Sequence, residues 1–216
     1  MSETRQLWLL AGANGAGKST FYRLFLEPRG IKFINADLIA RSLAPDHSED
    51  ASYKAARLAE RLRSDLLDHG LSFCFETVFS HVSKIDFIAG AKARGYEVIL
   101  VYIHLESPEL NEARVSQRVS EGGHDVPTDK IRSRIPRTMK NIAAILPLVD
   151  SARLLDNSSW ENPFQQVAVV RRGRTTILVN PLPPWAEEIL RAMPRIVIAK
   201  EQRGISALVG DNKNKG

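Results

Sequence analysis

Apolar residues cluster along this chain in two rhythms. Short dense runs at 6–11, 31–35, 72–76, 97–105 and 152–156 predict five β-strands, the run at 97–105 being the strongest. Elsewhere the spacing lengthens to three and four. Leu58, Leu62 and Leu66, with Ala55 and Ala59, predict an amphipathic helix over about 50–68, ended by His69-Gly70. Further helices are expected at 84–94, closed by Gly95, at 108–120, opened by Pro108 and stopped by Gly122-Gly123, and at 129–146, with a break near Pro136. Residues 164–179 read as a β-hairpin around Arg172-Gly173, 185–193 as a last helix, and 207–216 as a loose polar tail. Strand and helix alternate throughout. The expectation is an α/β fold, with a mostly parallel five-stranded sheet flanked by helices, a small C-terminal hairpin and one domain over 1–206.

Composition narrows the picture modestly. The chain has 216 residues, enough for one large core, and 30 basic against 25 acidic residues give a formal charge of +5. That excess suits a phosphorylated small molecule as well as a nucleic acid. Cys74 is the sole cysteine, which excludes an internal disulfide or a cysteine metal cluster and fits a reducing cytoplasm. The apolar runs are too short for an export signal or a membrane span.

The chemistry starts where the first strand ends. Gly12-Ala13-Asn14-Gly15-Ala16-Gly17-Lys18-Ser19-Thr20 has the spacing of a phosphate-binding P-loop, set between a strand and the helix-like 21–26. Glycines let the backbone amides close on a polyphosphate. Lys18 is expected to reach the outer phosphates and the Ser19 hydroxyl to complete a magnesium shell, while Thr20 caps or packs the helix start.

In a parallel sheet, ligands sit beyond the carboxyl ends of the strands. After the second strand comes Asn35-Ala36-Asp37, whose carboxylate is expected to accept a proton from a substrate hydroxyl or to help hold magnesium; a plain helix cap is the other reading. After the third come Glu76 and Thr77, expected at the substrate, with Cys74 buried just before them. Arg114 and Arg118 lie one helical turn apart on the same face; Arg118 with Arg132 or Arg134 is the candidate to meet the migrating phosphate, and Arg114 to bind substrate. The stretch 114–137 reads as a lid, with Gly122-Gly123-His124-Asp125-Val126-Pro127 as its flap and His124 as a structural residue of it. Tyr22, Phe25, Phe33, Phe87 and Tyr96 read as core or half-buried aromatics. Arg171, Arg172 and Arg174 read as solvated, and Asp156-Asn157-Ser158 as either a turn or a neighbour of the base.

Two other classes weigh against a small-molecule kinase. An energy-coupling ATPase needs a strand ending in Asp-Glu, and the run at 97–105 ends instead in His104-Leu105 before Glu106. A nucleic-acid end kinase or binder finds support in Lys130, Arg132, Arg134, Arg137 and Lys140, but no aromatic residues interleave with them for base stacking.

With these segments assembled, the sequence resembles the zeta-toxin-like P-loop kinases. The resemblance rests on 11–20, Asn35-Ala36-Asp37, Phe75-Glu76-Thr77 and Arg114-Val115-Ser116-Gln117-Arg118-Val119 with the Gly-Gly-His flap, which is that of a shorter branch of the family. It implies ATP and Mg2+ as cofactors and transfer of the γ-phosphate to a hydroxyl of a small molecule. It also implies Lys18 on the phosphates, Asp37 as base, Glu76 and Thr77 toward the substrate, and Arg118 on the transferred group. In well-known toxins of the family the acceptor is a UDP-linked amino sugar, and a small antitoxin blocks the ATP site.

Overall fold

The computed structural model describes residues 4–43, 49–123 and 125–194; His124 and the tail 207–216 lie outside the described residues. Seven strands form one sheet in the order β2-β3-β1-β4-β5-β6-β7. They are β1 (Gln6–Ala11), β2 (Lys32–Ile34), β3 (Phe73–Thr77), β4 (Glu97–His104), β5 (Ser151–Asp156), β6 (Gln165–Arg171) and β7 (Arg174–Ile177). The first five run parallel, and the last two are antiparallel. The hairpin expected as an appendage therefore extends the sheet, because β6 takes the otherwise open edge of β5, Ala152 pairing with Val170.

β1 sits between β3 and β4, Leu9 pairing with Phe75 on one side and Leu100 on the other. The chain builds outward from β1 first to one side, through β2 and β3, and then to the other. This topological switch opens a crevice beyond the carboxyl end of β1.

Alternation along the strands divides the interior in two. Leu7, Leu9, Phe73, Phe75, Val98 and Leu100 face one side, where they meet α3 (Glu49–Asp68), α4 (Ser83–Ala93), α6 (Thr128–Ile145) and α7 (Pro184–Ala192). Trp8, Leu10, Cys74, Ile99 and Val101 face the other, against Phe21 and Leu26. Those two residues come from α1 (Lys18–Phe21) and the π-helical turn Tyr22–Leu26 that prolongs it. Leu110 of α5 (Pro108–Ser120) packs on the same face. Burial lifts the Cys74 thiol well above its ordinary pKa, in keeping with a core residue.

Local chemistry explains most of the helix boundaries. Ser107 caps α5 by accepting from Leu110 N at 3.3 Å, with Pro108 in the first turn as expected. Pro136 does not break α6. The helix runs through it, and Arg137 Nε donates to Ser133 O at 3.0 Å in the same turn. In α3 the buried stripe is Ala55, Ala59, Arg63 and Leu67, while Leu58 is exposed and Leu62 and Leu66 are half-buried. The alanines rather than the leucines set the inner face.

At the end of β4, His104 is 7% exposed; its Nδ1 lies 2.8 Å from the Tyr102 hydroxyl and its ring 4.7 Å from that of Trp185. Burial pushes its pKa from 6.5 down to about 4. The unfolded chain therefore takes up this proton first as pH falls, and stability present above pH 6.5 is lost down to about pH 4. The full loss is about 3 kcal/mol. Urea unfolding at pH 7.5 and 4.5 should show it, and His104→Gln should remove it. An unchanged difference in the variant would mean that His104 does not titrate this way.

Candidate functional site

The crevice beyond β1 is a cavity of about 710 Å3. Its floor is the glycine loop. Gly15 and Gly17 hold φ of 79° and 98°, and a Cβ on Gly17 would stand 2.6 Å from Asn157 Nδ2. Gly12 is tighter still, since a Cβ there would meet Ile103 O at 2.3 Å.

The loop is braced from three elements. Asn111 Nδ2 of α5 donates to Asn14 O at 2.7 Å, Asn157 Nδ2 to Ala16 O at 2.9 Å, and Arg134 Nη1 of α6 reaches Asn14 Oδ1 at 3.4 Å. Asn157 Oδ1 also accepts from Phe164 N, and its backbone carbonyl accepts from Arg114 Nη2 at 2.8 Å. The turn after β5 is thus a brace for the loop.

Lys18 is buried, its Nζ donating to Ala13 O at 2.9 Å and lying 3.5 Å from Glu76 Oε1. Glu76 Oε2 accepts from Ser19 Oγ at 2.6 Å and from Asn35 Nδ2 at 2.9 Å. One carboxylate is therefore held by three donors. Thr20 is exposed on the cavity wall and caps nothing, the cap position of α1 being Gly17.

Asp37 stands in the first turn of α2 (Ala36–Leu43), exposed and lining the same cavity. It is not the cap. Asn35 Oδ1 accepts from Asp37 N at 2.8 Å and Leu38 N at 3.2 Å, which leaves the Asp37 carboxylate without a hydrogen bond or ion pair among the described residues. Thr77 Oγ1 accepts from Phe79 N at 3.0 Å, and α6 fixes the strained turn that follows, Asn141 Nδ2 donating to Phe79 O and Thr138 Oγ1 to Val78 O.

The arginines divide. Arg114, Arg118 and Arg134 line the cavity. Arg132 does not, being paired outside it with Glu112 at 2.6 Å and Glu109 at 2.9 Å. Val115, Val126 and Ile131 form a small separate cluster that holds the two limbs of the 114–137 segment together. Gly123 lies against Arg118, since a Cβ there would come within 2.7 Å of Arg118 O.

Three cavity residues escape sequence reasoning. Trp160 is 80% exposed on the rim, with Arg114 5.5 Å from its ring centre. Arg63 of α3 and Lys84 of α4 enter on the β2–β3 side. Arg63 carried a readable signal: it is a charge in register with Ala55 and Ala59, where a buried residue is due.

Serine hydroxyl, carboxylates and backbone cradle together suit a polyphosphate with Mg2+. Ser19 would supply the direct ligand, with Glu76 and Asp37 placed for bound waters. Among the described residues no cluster of three His, Cys, Asp or Glu makes a separate metal site, and no helix is long and apolar enough to cross a membrane.

Residues 1–181 match the family described as zeta toxin. An uncharacterised protein of Haemophilus influenzae is 32% identical over 137 residues, 60% of this chain and 97% of that protein. Among crystal structures, the AvrRxo1-ORF1:ORF2 complex with ATP superposes with a TM-score of 0.68 at 20% identity, covering 89% of this chain and 65% of that one. This chain thus spans just under two thirds of its AvrRxo1 counterpart. A structure from the PezAT chromosomal toxin-antitoxin system of Streptococcus pneumoniae gives 0.59 at 18% identity, over 89% and 79% of the two chains. The shared feature is the P-loop kinase fold.

Proposed function

The chain belongs to the zeta toxin family, and from that premise we propose that it is a P-loop kinase moving the γ-phosphate of ATP to a hydroxyl of a small molecule, a nucleotide sugar being the first candidate. The observation that carries this reading is the contrast between two carboxylates in one cavity. Glu76 is held by Lys18, Ser19 and Asn35, whereas the Asp37 carboxylate has no hydrogen bond or ion pair among the described residues. A tied carboxylate positions; an untied one beside a phosphate loop is placed to accept a proton.

In the proposed step the acceptor O–H gives its proton to Asp37 as its oxygen bonds to the γ-phosphorus. The bond from that phosphorus to the bridging oxygen breaks, and its electron pair leaves on the β-phosphate of ADP. Lys18, Arg118 and Arg134 all line the cavity, and in this reading they meet the charge on the transferred group while Arg114 and Trp160 lie toward the nucleotide. Bound Mg2+ would neutralise charge on the β- and γ-phosphates. Glu76 and Thr77 orient the acceptor. A protein partner over the nucleotide cleft belongs to the same reading, since PezAT is a toxin-antitoxin system.

The direct test is a panel of nucleotide sugars, sugars and nucleosides incubated with purified protein and γ-labelled ATP. Label should move to one class of hydroxyl compound. Hydrolysis to free phosphate alone, unaffected by every acceptor, would overturn the kinase assignment.

A further inference from the structure

The sheet has a second hollow, at the end opposite the glycine loop. A groove of about 810 Å3 opens at the amino ends of β1, β4 and β5, running from Thr4, Glu97 and Asp150 onto Ile99, Arg153 and Arg171 of the sheet face. It shares no lining residue with the cavity beyond β1.

Strand register puts the arginines there. Trp8, Ile99, Ser151 and Arg171 stand in one row across β1, β4, β5 and β6, and Leu10, Val101, Arg153 and Val169 in the next, all toward the same side. Phe21 and Leu26 pack on this side over β1 and β4. Farther along, Ser151, Arg153 and Val169 are only half-buried and Arg171 is exposed. Between Val101 and Val169 an apolar residue is due, and the chain places a guanidinium.

Arg153 makes no hydrogen bond or ion pair among the described residues. Burial lowers its pKa, and the charges of Arg29 and Arg171 lower it further, with no carboxylate to offset them. The two acids of the groove are already engaged. Asp150 accepts from Lys92 Nζ at 2.6 Å and from Val98 N at 2.8 Å, and Glu97 Oε2 accepts from Gln6 Nε2 at 2.7 Å. Like charges gathered around a half-buried guanidinium are costly until an anion sits among them.

We propose that Arg153, flanked by Arg29 and Arg171, is the centre of a second anion site, which takes the phosphate or diphosphate group of a small molecule independently of the glycine loop. Planar guanidinium groups meet phosphate oxygens two at a time, and the groove has the volume of a small-molecule pocket. Its aromatic residues, Trp8 and Tyr96, are buried, so the bases of a nucleic acid find no platform there. The site stands on these unpartnered cations and not on the kinase reading.

The test uses the whole chain with the loop filled by a non-hydrolysable ATP analogue and Mg2+. It is titrated calorimetrically with inorganic phosphate, glucose 6-phosphate, UDP-glucose, glucose and a short single-stranded oligonucleotide. Phosphate-bearing small molecules should bind and glucose should not, the order of glucose 6-phosphate and UDP-glucose showing whether one phosphate or two fit. Arg153→Leu should weaken this binding about tenfold or more and Arg171→Gln about threefold, with affinity for the ATP analogue unchanged within about twofold. Leucine suits a place between two valines, so Arg153→Leu should melt no lower than wild type. If it nonetheless fails to fold, Arg171→Gln decides alone.

Equal binding by wild type and both variants would overturn the site, as would a lower melting temperature in Arg153→Leu with phosphate affinity unchanged, which would leave Arg153 a part of the fold only. An oligonucleotide that binds more tightly than every small phosphate, and is lost with Arg153→Leu, would overturn the ligand class. Failure of phosphate transfer from ATP bears on the glycine loop and leaves this site standing.

Discussion

Lys18→Met is expected to lower kcat/KM for ATP about a thousandfold, a loss of about 4 kcal/mol of transition-state stabilisation. Lys18 is buried at the floor of the cavity, with its ammonium between Ala13 O and Glu76. Because it leans on one backbone carbonyl and a carboxylate 3.5 Å away, a polyphosphate can take it over without unfolding anything. Methionine keeps the length and apolar stem of lysine while removing the charge. Glu76 retains Ser19 and Asn35, so the fold should survive with a smaller thermal shift than a core truncation causes. A coupled ATP-consumption assay beside a melting curve separates the two effects. Turnover within about tenfold of wild type would mean that the loop does not hold the reacting phosphates.

Asp37→Asn is expected to lower kcat for transfer by about 10²–10³ while ATP affinity stays within about threefold. The substitution is nearly isosteric and removes only the basic oxygen. It should also leave α2 intact, because Asn35 rather than Asp37 caps that helix, and losing a first-turn charge costs only about 0.5 kcal/mol. Single-turnover measurements with a saturating acceptor would report the chemical step. If ATP affinity and transfer fell in parallel, Asp37 would be a ligand of the nucleotide complex and not the base.

Much of this was legible in the residues because it rests on local rules. The glycine loop needs backbone approach at fixed spacing, the strand ends needed only counting, and Pro108 announced the start of α5. What escaped depends on distance in space. The hairpin joins the sheet because β5 lacks a neighbour, which its own residues do not declare. Pro136 sits inside a helix whose packing overrides a local breaker. The leucines of α3 outshone its alanines in apolar weight, so the inner stripe was drawn a third of a turn off and Arg63 was not seen as part of it. Arg132 looked equal to Arg134 on one helix, yet Glu109 and Glu112 across the gap hold it outside the cavity.

Asn157 has a consequence for the order in which the protein comes into being. It braces a loop that lies 141 positions earlier in the chain. Translation proceeds from the amino end at about 5–20 residues per second, so roughly seven to thirty seconds separate the birth of the loop from the arrival of its support. A ribosome-bound chain that has already displayed Lys18, Asp37 and both arginines of α5 still lacks the side chain that pins the loop at Ala16. The brace on the loop is thereby deferred until the residues after β5 have been made.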